Sequence, residues 1–152
     1  MKLMKFVLPA LLLAALVDGY AQTPCEQLRS LKLGDATITS SAAIVAGPFQ
    51  NPAAPQGQAP AGAMLPAHCR VAATLTPSSD SDIKVEVWLP FREAWNGKYL
   101  AVGGGGFVGS ISYGAMATAL QEGYATSSTD TGHVGGTANF AVGHPEKMVD
   151  FA

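Results

Sequence analysis

Charge is scarce in this sequence, since Asp, Glu, Lys and Arg together make up 13% of its 152 residues, about half the share usual for soluble domains. No basic run occurs, and acidic residues outnumber basic ones 11 to 9. Nucleic acid and anionic membrane surfaces are therefore excluded as expected partners. Histidine is confined to His68, His133 and His144, and cysteine to Cys25 and Cys69. Neither set shows metal-ligand spacing, so no metal site is expected here. A membrane-spanning run is missing too. The apolar stretch at 6–17 is short of the ~18 residues a span needs, and Pro9 interrupts it.

What stands at the N-terminus instead is a leader. Lys2 and Lys5 precede that apolar stretch, and Gly19-Tyr20-Ala21 offers small residues at a cleavage site. Residues 1–21 are expected to be a secretory signal peptide, leaving 22–152 as one exported unit, secreted or periplasmic and free of the membrane. In an oxidising compartment Cys25 and Cys69 are expected to pair, with a stabilisation of about 4 kcal/mol in the chain-entropy picture. At 48% hydrophobic the sequence reads as well buried rather than disordered, apart from one loop.

Along the chain, Thr23-Pro24-Cys25-Glu26 reads as a helix start, with Leu28 and Leu31 on one face and Gly34 as the stop. Residues 35–45 lean towards strand. Five prolines between Pro48 and Pro66 mark an extended surface loop. Residues 69–75 and 83–89 form an antiparallel hairpin about Pro77-Ser78-Ser79-Asp80. Its second strand alternates Ile83, Val85, Val87 and Leu89 with Lys84, Glu86 and Trp88. After Trp95-Asn96-Gly97 comes a strand at 98–102, four consecutive glycines at 103–106, and a helix at 112–122 with Ala115, Ala119 and Leu120 as its apolar side. A strand at 124–128 and a helix opening at His144-Pro145-Glu146 complete the chain. Strand, helix, strand at this spacing requires a parallel pair. The fold class is α/β, an antiparallel hairpin followed by a parallel βαβ unit, with an incomplete sheet.

Four glycines in a row cost backbone entropy, roughly 0.5–1 kcal/mol each relative to Ala. Something should offset that. Three explanations stay open. Gly104, Gly106 and Gly109 fit G-x-G-x-x-G, with Asp130 as a ribose partner, and would make a dinucleotide-binding domain. An export leader and a preceding antiparallel hairpin speak against it. Alternatively the run is a tight turn with close packing. In the third, the loop after the third strand of an α/β-hydrolase supplies an oxyanion-hole N–H, and Gly104 and Gly105 are the candidates. Ser112 before Tyr113-Gly114 resembles half a nucleophile elbow but is read as a helix cap, because acid and base would have to follow too soon. Asp130 and His133 are read as loop hydrogen-bonding residues.

Trp95-Asn96-Gly97-Lys98-Tyr99, the glycines through Phe107, Gly123-Tyr124-Ala125, the run from Ser127 to His133, and His144-Pro145-Glu146-Lys147 together resemble the tannase/feruloyl esterase family. The resemblance runs from Cys25 to Ala152. It implies a secreted serine ester hydrolase acting on small hydroxyaromatic (galloyl- or feruloyl-type) esters, with Ser, Asp and His on an α/β-hydrolase core. The Cys-Ser-x-Gly-Gly nucleophile segment and a lid that often binds calcium would follow Ala152. Residues 22–152 are thus expected to be the N-terminal portion of the catalytic domain, with no cofactor of their own, and inert alone. The resemblance also marks Cys25 and Cys69 as a family disulfide. The rival is a non-catalytic secreted binding module on the same half-sheet.

Overall fold

The computed structural model describes residues 23–55 and 62–152. The leader expected at 1–21 lies outside the described residues, as does part of the proline-rich loop. The described residues open with a short 3-10 helix, Cys25–Ser30, rather than an α-helix. Pro24, not Thr23, occupies the cap position, and no side chain caps the turn. It is fastened by Cys25, whose disulfide to Cys69 spans 44 residues with Cα atoms 5.6 Å apart, and by hydrogen bonds from Ser41 and Ala43 to Glu26.

Strand β1 (Ala36–Ile44) follows, then the two-residue strands β2 (Gly47–Pro48) and β3 (Met64–Leu65), which pair with each other across the proline-rich loop. The hairpin comes next, as β4 (His68–Leu75) and β5 (Ile83–Pro90), antiparallel from His68 opposite Pro90 to Leu75 opposite Ile83. β6 (Tyr99–Ala101), helix α1 (Tyr113–Gln121) and β7 (Ala125–Thr129) form the βαβ unit, with Tyr99 opposite Ala125 in parallel register. A 3-10 turn at Ala138–Ala141 leads to α2 (Pro145–Phe151). The sheet order is β1-β4-β5-β7-β6. β7 is therefore the joint: it pairs antiparallel with β5 on one side and parallel with β6 on the other.

Each face of the sheet carries one apolar cluster. On one, Trp88, Leu65, Met116, Ala117 and Leu120 form a cluster under α1. Fully burying side chains of this kind contributes roughly 1.5–3 kcal/mol each. The helix reaches the sheet through Met116, Ala117, Ala119 and Leu120, whereas Ala115, placed on the apolar side by its spacing, is exposed. On the other face Ile38 and Val71 pack with the disulfide, against Leu28, Val87 and Leu89.

The alternation in β5 carries a surprise. Its mixed face is the more deeply buried one, with Glu86 at 3% and Trp88 at 2% exposure. Glu86 tolerates this because every lone-pair direction is used: Arg70 Nε and Nη2 donate at 2.7 and 2.5 Å, Trp88 Nε1 at 2.9 Å and the Tyr113 hydroxyl at 2.8 Å. A buried charge is sustainable only when paired and hydrogen-bonded in this way. Tyr113 is the first residue of α1, so this carboxylate pins the start of the helix to the sheet.

Candidate functional site

β6 points its carboxyl end at the glycine run, the position where ligands of open α/β sheets gather. Val102 N donates to Ser127 O at 2.9 Å and prolongs the parallel pairing by one step, after which the ladder stops. All four glycines at 103–106 are exposed. Among the described residues, none of their amides donates to a backbone carbonyl. The run turns at Gly106, whose φ of 59° is open to glycine at little cost.

The glycines are not equivalent. A Cβ at Gly104 would lie 2.8 Å from Val108 Cβ, so packing alone requires glycine there. At Gly103 and Gly105 a Cβ would meet nothing within 4 Å. Their lack of side chain has no packing explanation and leaves those amides open to approach.

Beyond the turn the chain is tied down repeatedly. His133 Nε2 lies 3.0 Å from the Phe107 carbonyl oxygen, Gly109 N donates to Gly135 O at 2.7 Å, and Ser112 N donates to Ser128 Oγ at 2.9 Å. Ser112 occupies the N-cap position of α1, but its side chain makes no cap bond. Residues 107–112 separate the glycines from the first helical residue. Backbone amides, rather than the helix terminus, are therefore the donors that the run itself offers.

Asp130 is occupied structurally. Its Oδ1 accepts from Lys84 N and Gly132 N, both at 2.9 Å. Gly109, the third glycine of the dinucleotide pattern, lies against His133, where a Cβ would come within 2.7 Å of Nε2. The ribose partner and the last glycine of that pattern thus each have a packing role. A cleft of about 390 Å³, lined in part by Lys84, Glu86, Gly109, Tyr113 and Asp130, opens beside the loop exit. Gly104 and Gly105 do not line it.

The three histidines lie apart. His68 is buried, its Nδ1–H donating to Pro66 O at 2.9 Å and its ring beside Trp88. Burial holds this imidazole below its usual value, with the Arg70 charge adding in the same direction. His144 pairs with the Asp80 carboxylate at 2.9 Å at the start of α2. His133 stacks on Phe140. No group of three or more His, Cys, Asp or Glu among the described residues converges on a metal position, and no described helix is long and apolar enough to cross a membrane.

The Glu86 constellation escapes sequence reasoning. Burial pushes its carboxyl up, but the hydrogen bonds from Arg70, Trp88 and Tyr113 and the Arg70 charge together hold it below the ordinary carboxylate value. The Tyr113 phenol, desolvated and bonded to Glu86, is raised to about 12. One faint signal exists: Arg70 faces Trp88 across the hairpin and is therefore diagonal to Glu86.

The family model described as "Tannase and feruloyl esterase" matches residues 69–152. An esterase of Xanthomonas campestris pv. campestris, itself uncharacterized, is 42% identical over 143 residues, covering 91% of this chain and 23% of the relative. A probable feruloyl esterase B of Aspergillus niger is 30% identical over 154 residues, covering 99% of this chain and 28% of the relative. Among solved structures, feruloyl esterase B from Aspergillus oryzae superposes with a TM-score of 0.69 at 32% identity, over 84% of this chain and 25% of that one. A further esterase from Aspergillus oryzae gives 0.67 at 26% identity. The chain spans 23% to 28% of the length of the two curated relatives described.

Proposed function

Because this chain belongs to the tannase and feruloyl esterase family, we propose that it supplies the oxyanion-binding part of an exported serine carboxylic-ester hydrolase for hydroxyaromatic esters. The observation that carries this reading is the glycine run itself. Its four exposed amides follow the carboxyl end of a parallel strand, unengaged by the backbone of the described residues and anchored on both sides. Donors left unpaired and held in place in this way can meet charge on a bound carbonyl without reorganising.

In this mechanism a serine beyond Ala152 attacks the ester carbonyl while a histidine accepts its proton. As the carbon becomes tetrahedral, negative charge builds on the former carbonyl oxygen. The N–H of Gly104 or Gly105 donates to that oxygen, and the residue after the serine supplies the second donor. One such donor is worth about 3 kcal/mol of transition-state stabilisation. Collapse expels the alcohol, and water then repeats the sequence on the acyl-enzyme. The Cys25–Cys69 bridge supports an oxidising compartment and so an exported product.

Residues 22–152 alone should not turn over an activated aryl ester. Turnover abolished by Ser112→Ala would place a nucleophile inside this segment and overturn that assignment. In a protein of the relatives' length carrying this segment, esters of hydroxyaromatic acids should be cleaved faster than alkanoate esters of the same alcohol. The reverse preference would refute the substrate class.

A further inference from the structure

The first tie beyond the glycine run comes from one buried side chain, itself packed between aromatic rings. His133 is 6% exposed, with its ring nearly parallel to Phe140 at a centroid distance of 3.8 Å and the edge of Phe151 5.7 Å away. Its Nε2 is 3.0 Å from the Phe107 carbonyl oxygen. A carbonyl can only accept, so Nε2 carries the hydrogen and donates. The Cδ2–Nε2 edge of the ring also abuts Gly109, where even a methyl group would be too close. The turn that delivers His133 is strained, because Thr131, a β-branched residue, has a φ of 55°. Strain of this kind persists only where the surroundings impose it, and it gathers at functional sites.

Phe107 directly follows Gly106. We infer that His133 is a positioning residue whose Nε2–H, by clamping the Phe107 peptide, fixes the direction of the glycine amides. This rests on the reading that those amides receive the oxyanion. Glycine has more backbone freedom than any other residue, and an oxyanion hole works only when its donors are oriented beforehand. β6 fixes the entry of the run. The His133 bond fixes its exit, so four glycines can stay free of side chains without becoming slack.

Two variants separate this role from general packing. His133→Phe keeps an aromatic ring against Phe140 and loses the donor, while His133→Gln replaces the ring but returns an N–H at similar reach. In this chain, 15N relaxation of the four glycine amides should show enhanced fast motion in His133→Phe and near-parental order in His133→Gln. Glycine order unchanged in His133→Phe overturns the inference, as does a Gln variant no better ordered than the Phe variant. If His133→Phe does not fold, His133→Gln against His133→Asn, whose shorter amide cannot reach Phe107, makes the same comparison. In a relatives-length protein His133→Phe should lower kcat 10- to 100-fold with KM within twofold, and Gln should recover most of it. A loosened loop with parental kcat would uphold the clamp and remove the oxyanion reading instead.

Discussion

Glu86 on β5 and Arg70 on β4 form a two-pronged ion pair across the hairpin, with the carboxylate side chain 4% and the guanidinium side chain 34% exposed. The pair lies under α1 and ties both hairpin strands to the helix that follows the glycine run. Removing Arg70 strands the buried carboxylate, and removing Glu86 leaves Trp88 Nε1 and the Tyr113 hydroxyl without their acceptor.

Glu86→Ala should therefore destabilise the fold by about 3–5 kcal/mol, the range for breaking a buried pair. Arg70→Met together with Glu86→Leu should cost much less, because no charge is then left unpaired. Urea denaturation of the single and double variants checks both expectations.

Acid should weaken the fold in two stages. His68 is held below the ordinary imidazole value of 6.5, so the unfolded chain binds its proton first and stability is lost as pH falls below that value. Glu86 is held below 4.5, so its contribution is complete at neutral pH and is lost as pH falls through its lowered folded value. Melting temperature against pH should show both steps, and His68→Phe should remove the first.

Reduction of the Cys25–Cys69 bridge should cost about 4 kcal/mol for a closed loop of 44 residues. The disulfide is the covalent tie of the 3-10 helix to the sheet, beside the hydrogen bonds that Ser41 and Ala43 donate to Glu26. Loss of amide protection should accordingly begin at Cys25–Ser30 and β1, before α1 opens.

Much of this architecture was legible. β5 announces itself by strict alternation and α1 by its glycine stop, because period and breaker residues act locally. The pairing of Cys25 with Cys69 followed from their number and the expected export. The burial of Glu86 did not follow, since an acidic residue in an alternating strand reads as solvent-facing until Arg70, Trp88 and Tyr113 are brought together. Ala115 misled for a related reason: on so small and alanine-rich a helix the spacing of apolar residues defines the buried side poorly. The insertion of β7 between β5 and β6 is a matter of tertiary pairing, which no local pattern encodes. At the site, the glycine run was visible as composition, but the division of labour between Gly104, required by Val108, and Gly105, which touches nothing, is not.

That division supplies the most direct measurement of whether the glycine amides receive the oxyanion. In a protein of the relatives' length carrying this segment, Gly105→Val introduces a side chain into open space, so the melting temperature should stay within a few degrees of the parent. If the neighbouring amides bind the developing oxyanion, kcat/KM on an aryl ester should nevertheless fall about 100-fold, the scale of one lost donor. A Gly105→Val enzyme with parental kcat/KM would contradict the account and move the oxyanion donor elsewhere.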